Sequence, residues 1–308
     1  MAESYDAVVI GAGPAGEVIA GELADGGMSV AICERELVAG ECSYWACIPS
    51  KTLLRPGEAI AEAGDRVLFK EAAPAGQLLG EALEAEGIEL KLGATASAAE
   101  HRGDGYALRF EDGSELHGEK LLVATGRRAR VDGLGLENAG IEPDEKGNVE
   151  VDERLRAGDG VWAIGDVAGI LLFTHVGKYQ ARIAAADILG REARADYRAV
   201  PRVVFTDPQV AAVGEPEGER DGSVSLESVD RTSTYTREYD ERPGFLTLFA
   251  DGDRLTGAVA VGPEAGEWLQ QATLAIRAEV PIATLRDVIQ PFPTFSEGFV
   301  SALADLDA

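Results

Sequence analysis

The sequence is poor in the residues that bind metals or form disulfide frameworks. Its 308 residues include three Cys, three His and two Met. A protein metal site needs several such ligands in close spacing, so we expect no metal centre. The sequence also lacks an apolar run of membrane-spanning length, and no basic region followed by an apolar core opens the chain. These absences predict a cytoplasmic protein with no membrane partner.

Basic residues are scarce as well. There are 28 Lys and Arg against 54 Asp and Glu, which gives a formal net charge of −26. Such a chain repels the phosphates of nucleic acids, so we expect no nucleic-acid partner. The length is sufficient for two domains, each with its own core.

The N-terminal segment has the clearest local pattern in the chain. An apolar run at residues 7–10 is followed by Gly-Ala-Gly-Pro-Ala-Gly at 11–16 and by a helical pattern through about Ala24. A second apolar run at 29–33 ends on Glu34. This order of strand, glycine turn, helix, strand and terminal acid is typical of a dinucleotide-binding fold.

Each residue type in this pattern has a physical role. Gly11 permits a tight turn, Gly13 lets the backbone approach a pyrophosphate, and Gly16 lets helix and strand pack closely. The helix that contains Pro14 and Ala15 directs its N-terminus at the phosphates. Glu34 is placed to accept a hydrogen bond from a ribose hydroxyl.

Two of the three cysteines occur in one short stretch. Residues 42–51 read Cys-Ser-Tyr-Trp-Ala-Cys-Ile-Pro-Ser-Lys, at the start of a helix predicted over about 44–63. Cytosolic proteins rarely contain structural disulfides, so a close pair there is more often catalytic or metal-binding. Cys42 and Cys47 are therefore candidates for a redox-active disulfide, whereas Cys33 is predicted to be a core residue.

The rest of the chain alternates predicted strands and helices. Up to about residue 198 we expect a helix at 76–86, strands at 88–92, 121–124 and 161–164, a helix at 176–189, and an antiparallel meander near 95–99, 106–110 and 115–118. From residue 201 the pattern is β-rich, with a loop at 214–222 and helices near 265–278 and 296–303. The predicted fold class is α/β: a Rossmann-like domain with a β-meander (1–198), then an α+β domain (199–308).

Several motifs together resemble those of the pyridine nucleotide–disulfide oxidoreductases, a family of flavoproteins. The matching stretches occur in the family's order along the chain: residues 11–16 with Glu34, then 42–51, 124–127, 163–167, 174–177 and 293–298. The resemblance implies an FAD-binding domain, a C-terminal dimerisation domain and a homodimer in which each C-terminal domain completes the partner's active site.

The resemblance also implies roles for individual residues. The ADP half of FAD would bind the glycine run and Glu34, and the ribityl chain would bind Asp166. The helix after His175 would direct its N-terminus at the flavin ring. Further cofactor-binding candidates in the matching motifs are Thr125, Gly126 and Gly165.

The same resemblance implies a catalytic set. Cys47 would be the thiol beside the flavin, and Cys42 the thiol that meets the substrate. Lys51 would lie near the flavin. Glu297 would be a carboxylate near the dimer interface, where thiol–disulfide members of the family pair it with a histidine.

The chain departs from the family pattern in its middle. Members carry two homologous dinucleotide folds, but only one glycine motif is present here, and residues 65–127 resemble the back half of a nicotinamide domain. The join would lie near residues 63–65, so tight NAD(P)H binding at the usual site is not expected. Residues 65–127 either rebuild a composite FAD domain or form a separate lobe; we favour the composite because a half-domain exposes strand edges.

A second departure lies near the C-terminus. Phe292 stands where thiol–disulfide members place an acid–base histidine before Pro-Thr, and phenylalanine cannot transfer a proton. The sequence thus predicts an FAD-dependent oxidoreductase of the disulfide-reductase type that acts on an unidentified small molecule or thiol/disulfide. The alternative is a non-catalytic, dimeric FAD-binding relic of such a reductase.

Overall fold

The computed structural model describes residues 4–38, 73–124, 128–230 and 244–307. Several predictions lie outside these ranges. They concern Cys42, Cys47, Lys51, Thr125, Gly126 and the helix at 44–63.

The described ranges contain both regular element types. The strands are Ala7–Ile10 (β1), Val30–Cys33 (β2), Ala96–Arg102 (β3), Gly105–Phe110 (β4), Glu115–Gly118 (β5), Arg156–Gly158 (β6), Val161–Trp162 (β7), Arg202–Val204 (β8), Gln209–Gly214 (β9), Arg220–Ser225 (β10), Phe245–Asp251 (β11) and Arg254–Gly262 (β12). The α-helices are Pro14–Asp25 (α1), Ala73–Ala85 (α2), Thr174–Ile188 (α3), Ala265–Trp268 (α4), Gln270–Arg277 (α5), Ile282–Arg286 (α6) and Gly298–Asp305 (α7).

The chain forms two compact units. The described part of the first comprises residues 4–38 and 128–197, and that of the second comprises 73–124, 198–230 and 244–307. The sequence instead assigned 65–127 to the first domain. The predicted domain boundary between residues 198 and 199 stays a prediction.

A parallel strand pair with two helices on one side forms the centre of the first unit. β1 and β2 pair in parallel from Ala7 opposite Val30 to Ile10 opposite Cys33. α1 begins at Pro14. Proline is favoured at the first helical position because the backbone N–H that it lacks would have no acceptor within the helix there. α1 and α3 share one apolar cluster that includes Leu23 and Ala181. This arrangement confirms the predicted strand–turn–helix–strand unit.

One residue of this unit is placed differently from its prediction. Cys33 is exposed at the end of β2, not in the core. On the same strand pair, Val8, Ile10 and Ile32 are also exposed, because no described element covers this face of the strands. The prediction of a buried Cys33 rested on its position inside a strand, and a strand interior is buried only where both faces of the sheet are covered.

A buried carboxylate ties α3 to the β6–β7 hairpin. The Asp187 side chain is 1 % exposed. It accepts two hydrogen bonds from Arg156 (2.6 and 2.7 Å), one from Arg154 (3.1 Å) and one from the indole N–H of Trp162 (2.9 Å). The Arg156 guanidinium, more than the other partners, lowers the pKa of Asp187 to about 2, against the burial that acts to raise it. Buried charge is tolerated here because it is fully paired.

The second unit contains the predicted meander. β3, β4 and β5 form an antiparallel three-stranded sheet in sequential order. His101 and His117 are exposed on its outer strands. The predicted strands at 88–92 and 121–124 are wrong, since neither stretch is in strand conformation or pairs with another of the described segments, and Leu122 is 76 % exposed.

The larger sheet of the second unit is antiparallel with the strand order β10-β11-β12-β9-β8. One face packs on the C-terminal helices through a cluster that includes Leu248, Leu269 and Phe299. The opposite face packs on α2, where Leu79 meets Val210 and Val259. Because both faces are covered, the central strands β9 and β12 are nearly continuous apolar runs.

The position of α2 confirms the helix predicted at 76–86, but its packing partner was not foreseen. The two predicted arrangements of residues 65–127 were a composite domain beside β1 and β2 and a separate lobe. Neither arrangement places α2 on the C-terminal sheet. The stripe of small and apolar side chains on α2, Ala75, Leu79 and Leu83, fits the flat apolar face of β9 and β12.

The sequence also missed β10. It predicted a loop over 214–222, but β10 begins at Arg220 and alternates buried Gly222 and Val224 with exposed neighbours. Gly222 lies directly under α7, since a Cβ built on it would be 2.2 Å from the Ala302 carbonyl oxygen. The glycine was interpreted as a loop signal, whereas it serves a close helix–sheet contact.

The helices in the described ranges are all too short or too polar to cross a bilayer.

The Asp187 network generates a pH prediction. The pKa of Asp187 is lower in the native protein than the ordinary value of 3.8. The ionised Asp187 therefore adds about 2 kcal/mol to the free energy of unfolding above pH 4, and this contribution is lost as the pH falls to about 2. We expect Asp187→Asn to lower the urea midpoint at pH 7 and to converge with the wild type near pH 2. Asp159→Asn, at an exposed turn, is the matched control. A difference that stays constant from pH 7 to pH 2 would contradict this assignment.

Candidate functional site

In the predicted glycine turn, residues 11–16, the close contact and the open space lie at the positions that the Gly-x-Gly-x-x-Gly spacing predicts. Gly16 packs directly on the turn, because a Cβ built on it would lie 2.0 Å from the carbonyl oxygen of Gly11. Beside Gly13 the space is open, with nothing within 4 Å of a built Cβ. The close contact at Gly16 holds α1 against β1, and the opening at Gly13 leaves its backbone accessible.

Glu34 lies at the carboxyl end of β2, next to this turn. Its carboxylate accepts hydrogen bonds from the backbone N–H of Ala12 (2.9 Å) and of Glu36 (2.7 Å). The bond from Ala12 is the main reason that the pKa of Glu34 lies below its usual value. The side chain is therefore an ionised acceptor at the turn, where the sequence placed it.

A second turn and a second helix meet α1 at the same place. Gly165 opens the 3-10 turn Gly165–Ala168 with a φ of 78°, a conformation that favours glycine. A Cβ built on Gly177 of α3 would lie 3.3 Å from the Cβ of Ala15 and 3.4 Å from the Cα of Gly165. The first turns of α1 and α3 and the Gly165 turn are thus in direct contact.

This contact brings two helix N-termini together. α1 has 12 residues and α3 has 15, and no described side chain caps the N-terminus of either. Each N-terminus presents backbone N–H groups and a partial positive charge. Side by side they form a site suited to phosphate and other anionic groups.

Two further predicted residues lie at this site. Asp166 is half-buried in the Gly165–Ala168 turn. His175 is exposed in the first turn of α3, and its ring stacks on Phe173 with 5.1 Å between ring centroids. The structure therefore brings together, in the first unit, Gly11, Gly13, Pro14, Ala15, Gly16, Glu34, Gly165, Asp166 and His175.

A cavity of about 1190 Å³ borders the turn. Its lining includes Gly11, Cys33, Glu34 and Arg130, together with apolar residues of β1 and of the β7 region. Cavities of roughly 300–1,000 Å³ accommodate sizeable organic ligands. The cavity reaches the predicted site at Gly11 and Glu34, and its lining does not include the residues at the N-termini of α1 and α3.

Other predicted residues are not part of this grouping. Glu297 belongs to the second unit, where it ends the 3-10 turn Phe295–Glu297 and is half-buried. Phe292 is 68 % exposed in the same unit. Cys42, Cys47, Lys51, Thr125 and Gly126 lie outside the described residues.

Sequence reasoning missed two residues of the first unit. Arg130 lines the cavity and pairs with Glu36 at 3.2 Å. Gln180 is fully buried behind the Gly165 turn. A signal for Gln180 was present, because it occupies the helical stripe that otherwise holds the buried residues Val176, Gly177 and Ala181.

The close contact at Gly16 generates a stability prediction. Gly16→Ala should destabilise the chain by about 1–3 kcal/mol, because the new methyl group overlaps the Gly11 carbonyl. Gly21→Ala lies in the same helix with open space around it and should stabilise by about 0.5–1 kcal/mol. Urea unfolding of both variants measures the difference. Equal midpoints for the two variants would show that α1 does not rest on the turn.

Comparison with known proteins agrees with this geometry. The model of the pyridine nucleotide-disulphide oxidoreductase family matches residues 5–62 and 58–186. These two stretches meet close to the join predicted near 63–65. The dimerisation domain of the same family matches residues 200–303.

Curated relatives include a dihydrolipoyl dehydrogenase from Thermus scotoductus and a mercuric reductase from Acidithiobacillus ferrooxidans. The first is 36% identical over 82% of this chain and 55% of the relative, and the second is 35% identical over 89% and 51%. The chain therefore spans about half the length of the curated relatives it matches.

Solved structures show the same fold. A Cu(II) complex of the HOCl-induced flavoprotein disulfide reductase RclA from Escherichia coli aligns with a TM-score of 0.86 at 21% identity, over 98% of this chain and 99% of that one. LpdA from Mycobacterium tuberculosis aligns with a TM-score of 0.69 at 24% identity, over 100% of this chain and 63% of that one. The predicted fold class and family are confirmed. On its motifs, its fold and the two matching family models, the chain belongs to the pyridine nucleotide-disulphide oxidoreductase family.

Proposed function

We propose that this chain binds FAD and is an FAD-dependent oxidoreductase of the disulfide-reductase type. The observation that carries the proposal is the meeting of two helix N-termini, the glycine turn and the Gly165 turn at one place. The ionised Glu34 carboxylate at the same turn suits a ribose hydroxyl donor. These features fit a dinucleotide with a central pyrophosphate.

The cofactor residues divide by the part of FAD they would hold. The glycine run with Pro14 and Ala15 would bind the pyrophosphate, Glu34 the adenosine ribose and Asp166 the ribityl chain. His175 would contact the flavin from the start of α3. Thr125 and Gly126 stay candidates for the same site. Bound FAD supplies two-electron redox chemistry, and the protein supplies its position and surroundings.

The cysteine pair would be the second redox centre. Reduction of a Cys42–Cys47 disulfide breaks one S–S bond and takes up two electrons and two protons to give two thiols. Cys47 would exchange electrons with the flavin and Cys42 would meet the substrate. Lys51 near the flavin and Glu297 as a carboxylate of the dimer interface complete the proposed catalytic set.

The partners follow from the family membership. We infer a homodimer, since residues 200–303 match the family's dimerisation domain. The substrate would be a small molecule or a thiol/disulfide. The names of the curated relatives include dihydrolipoyl and mercuric substrates, but Phe292 replaces the proton-transferring histidine of thiol–disulfide members. The proposed location is the cytoplasm. Whether the chain uses NADH or NADPH is tested by the titration below.

The first test is FAD binding to the full chain freed of any flavin. We expect the wild type to bind FAD with the absorbance bands of a protein-bound flavin. Gly13→Ala should raise the Kd at least about tenfold, because its methyl group occupies the open approach to the turn. Gly21→Ala on the same helix is the control and should bind like the wild type.

Anaerobic titration of the FAD-loaded protein with NADH and with NADPH then separates the two candidate functions. Bleaching by either nucleotide indicates a reductase that uses it. FAD bands that neither nucleotide bleaches would favour the non-catalytic relic. Failure of the chain to bind added FAD would contradict both candidate functions.

A further inference from the structure

The one fully buried side-chain amide behind the proposed cofactor site, within the described residues, belongs to Gln180. It lies in the middle of α3 and is 0 % exposed. Its neighbours in the helical stripe are apolar or small: Val176, Gly177, Ala181 and Ala184. A buried amide is tolerated only if its donors and acceptor are satisfied, so its partners indicate why it is there.

The first partner is the backbone of the Gly165 turn. The Gln180 Oε1 atom accepts a hydrogen bond of 2.7 Å from the Gly165 N–H. This N–H lies beyond the end of β7, and Gly165 has a positive φ, so the strand ladder does not supply its acceptor. The side chain of Gln180 therefore fixes the peptide that joins Ile164 to Gly165, one residue before Asp166.

The second partner fixes Gln180 itself. Its Nε2 atom donates to the hydroxyl oxygen of Tyr197 at 3.0 Å. The Tyr197 ring packs edge-on against Tyr179, with 6.1 Å between centroids. Tyr197 is half-buried, and burial raises the pKa of its hydroxyl, so it is neutral and able to accept this bond. With both ends of the amide bound, Gln180 has one orientation.

We infer that Gln180 is a positioning residue for the cofactor: through Gly165 it sets the direction of Asp166 toward the ribityl–flavin half of FAD. The inference rests on the proposed function, because it takes that function's assignment of Asp166. It assigns no contact between Gln180 and FAD. The ADP half is assigned to residues 11–16, whereas Gln180 bonds to Gly165 and Tyr197. Its larger effect should therefore fall on the ribityl–flavin half of the cofactor.

The test compares the dissociation constants of FAD and ADP for the full chain. Gln180→Met keeps nearly the same shape but removes the acceptor and the donor. We expect the Kd for FAD to rise about tenfold, the value of one well-placed hydrogen bond, while the Kd for ADP changes less than about threefold. If Gln180 had only a structural role in the core, Gln180→Met would change the two dissociation constants by the same factor or would change neither.

A double-mutant cycle shows whether the effect passes through Asp166. In an Asp166→Ala background, Gln180→Met should cause little further loss of FAD affinity, because the group that it positions is gone. Full additivity of the two substitutions would overturn the inference. Tyr197→Phe is the matched control in the wild-type background; it keeps the bond from Gly165 and should raise the Kd for FAD less than Gln180→Met does.

A second pair of variants covers the case in which Gln180→Met does not fold, as judged by circular dichroism. Gln180→Glu keeps an oxygen at the same distance from Gly165, and Gln180→Asn withdraws it by one methylene. We expect the Asn variant to bind FAD more weakly than the Glu variant, and equal affinities would overturn the inference. Failure of the wild type to bind FAD overturns the proposed function as well, whereas wild-type binding with unchanged affinity in Gln180→Met overturns only this inference.

Discussion

The first unit depends on the direct contact between a helix and a turn that only glycine permits. At Gly16 there is no room for a side chain beside the Gly11 carbonyl, and a Cβ built on Gly177 would make a looser contact, 3.3 Å from the Cβ of Ala15 and 3.4 Å from the Cα of Gly165. These contacts place the N-termini of α1 and α3 side by side, with the partial positive charges of both helices directed into one region. The acid at the end of β2 meets this region through the bond from the Ala12 N–H, and the turn that contains Asp166 meets it through the contact of Gly165 with Ala15. The charge distribution of the site is thus a consequence of close backbone packing.

The second unit depends on a different constraint, which is that both faces of its large sheet are covered. The central strands β9 and β12 carry apolar side chains on both faces, and an uncovered face would expose Val210, Val259 and Val261 to water. The C-terminal helices cover one face, and α2 covers the other from more than a hundred residues away along the chain. A segment that resembles part of a nicotinamide domain therefore has a structural role of its own in this chain.

Much of the fold and of the cofactor-site grouping was predictable because the signals were local. The glycine turn, α1, the meander and the C-terminal strands each follow from spacing within a few residues, and the order of the motifs identified the family. The errors occurred where a partner distant in sequence decides the outcome. Gly222 in β10 was interpreted as a loop signal because α7, which requires the glycine, is far along the chain. Cys33 lies in a strand, but whether it is buried depends on what covers that strand. The role of Gln180 depends on the Gly165 N–H, which is 15 residues away along the chain.

We propose that FAD held by the first unit exchanges electrons, through its flavin ring, with the Cys42–Cys47 pair. The most direct measurement is an anaerobic titration of the FAD-loaded protein with dithionite, with free thiols counted before and after. Because a flavin and a disulfide are each two-electron couples, we expect an uptake of about four electrons per flavin and the release of about two thiols. An uptake of about two electrons per flavin with no new thiols would contradict it.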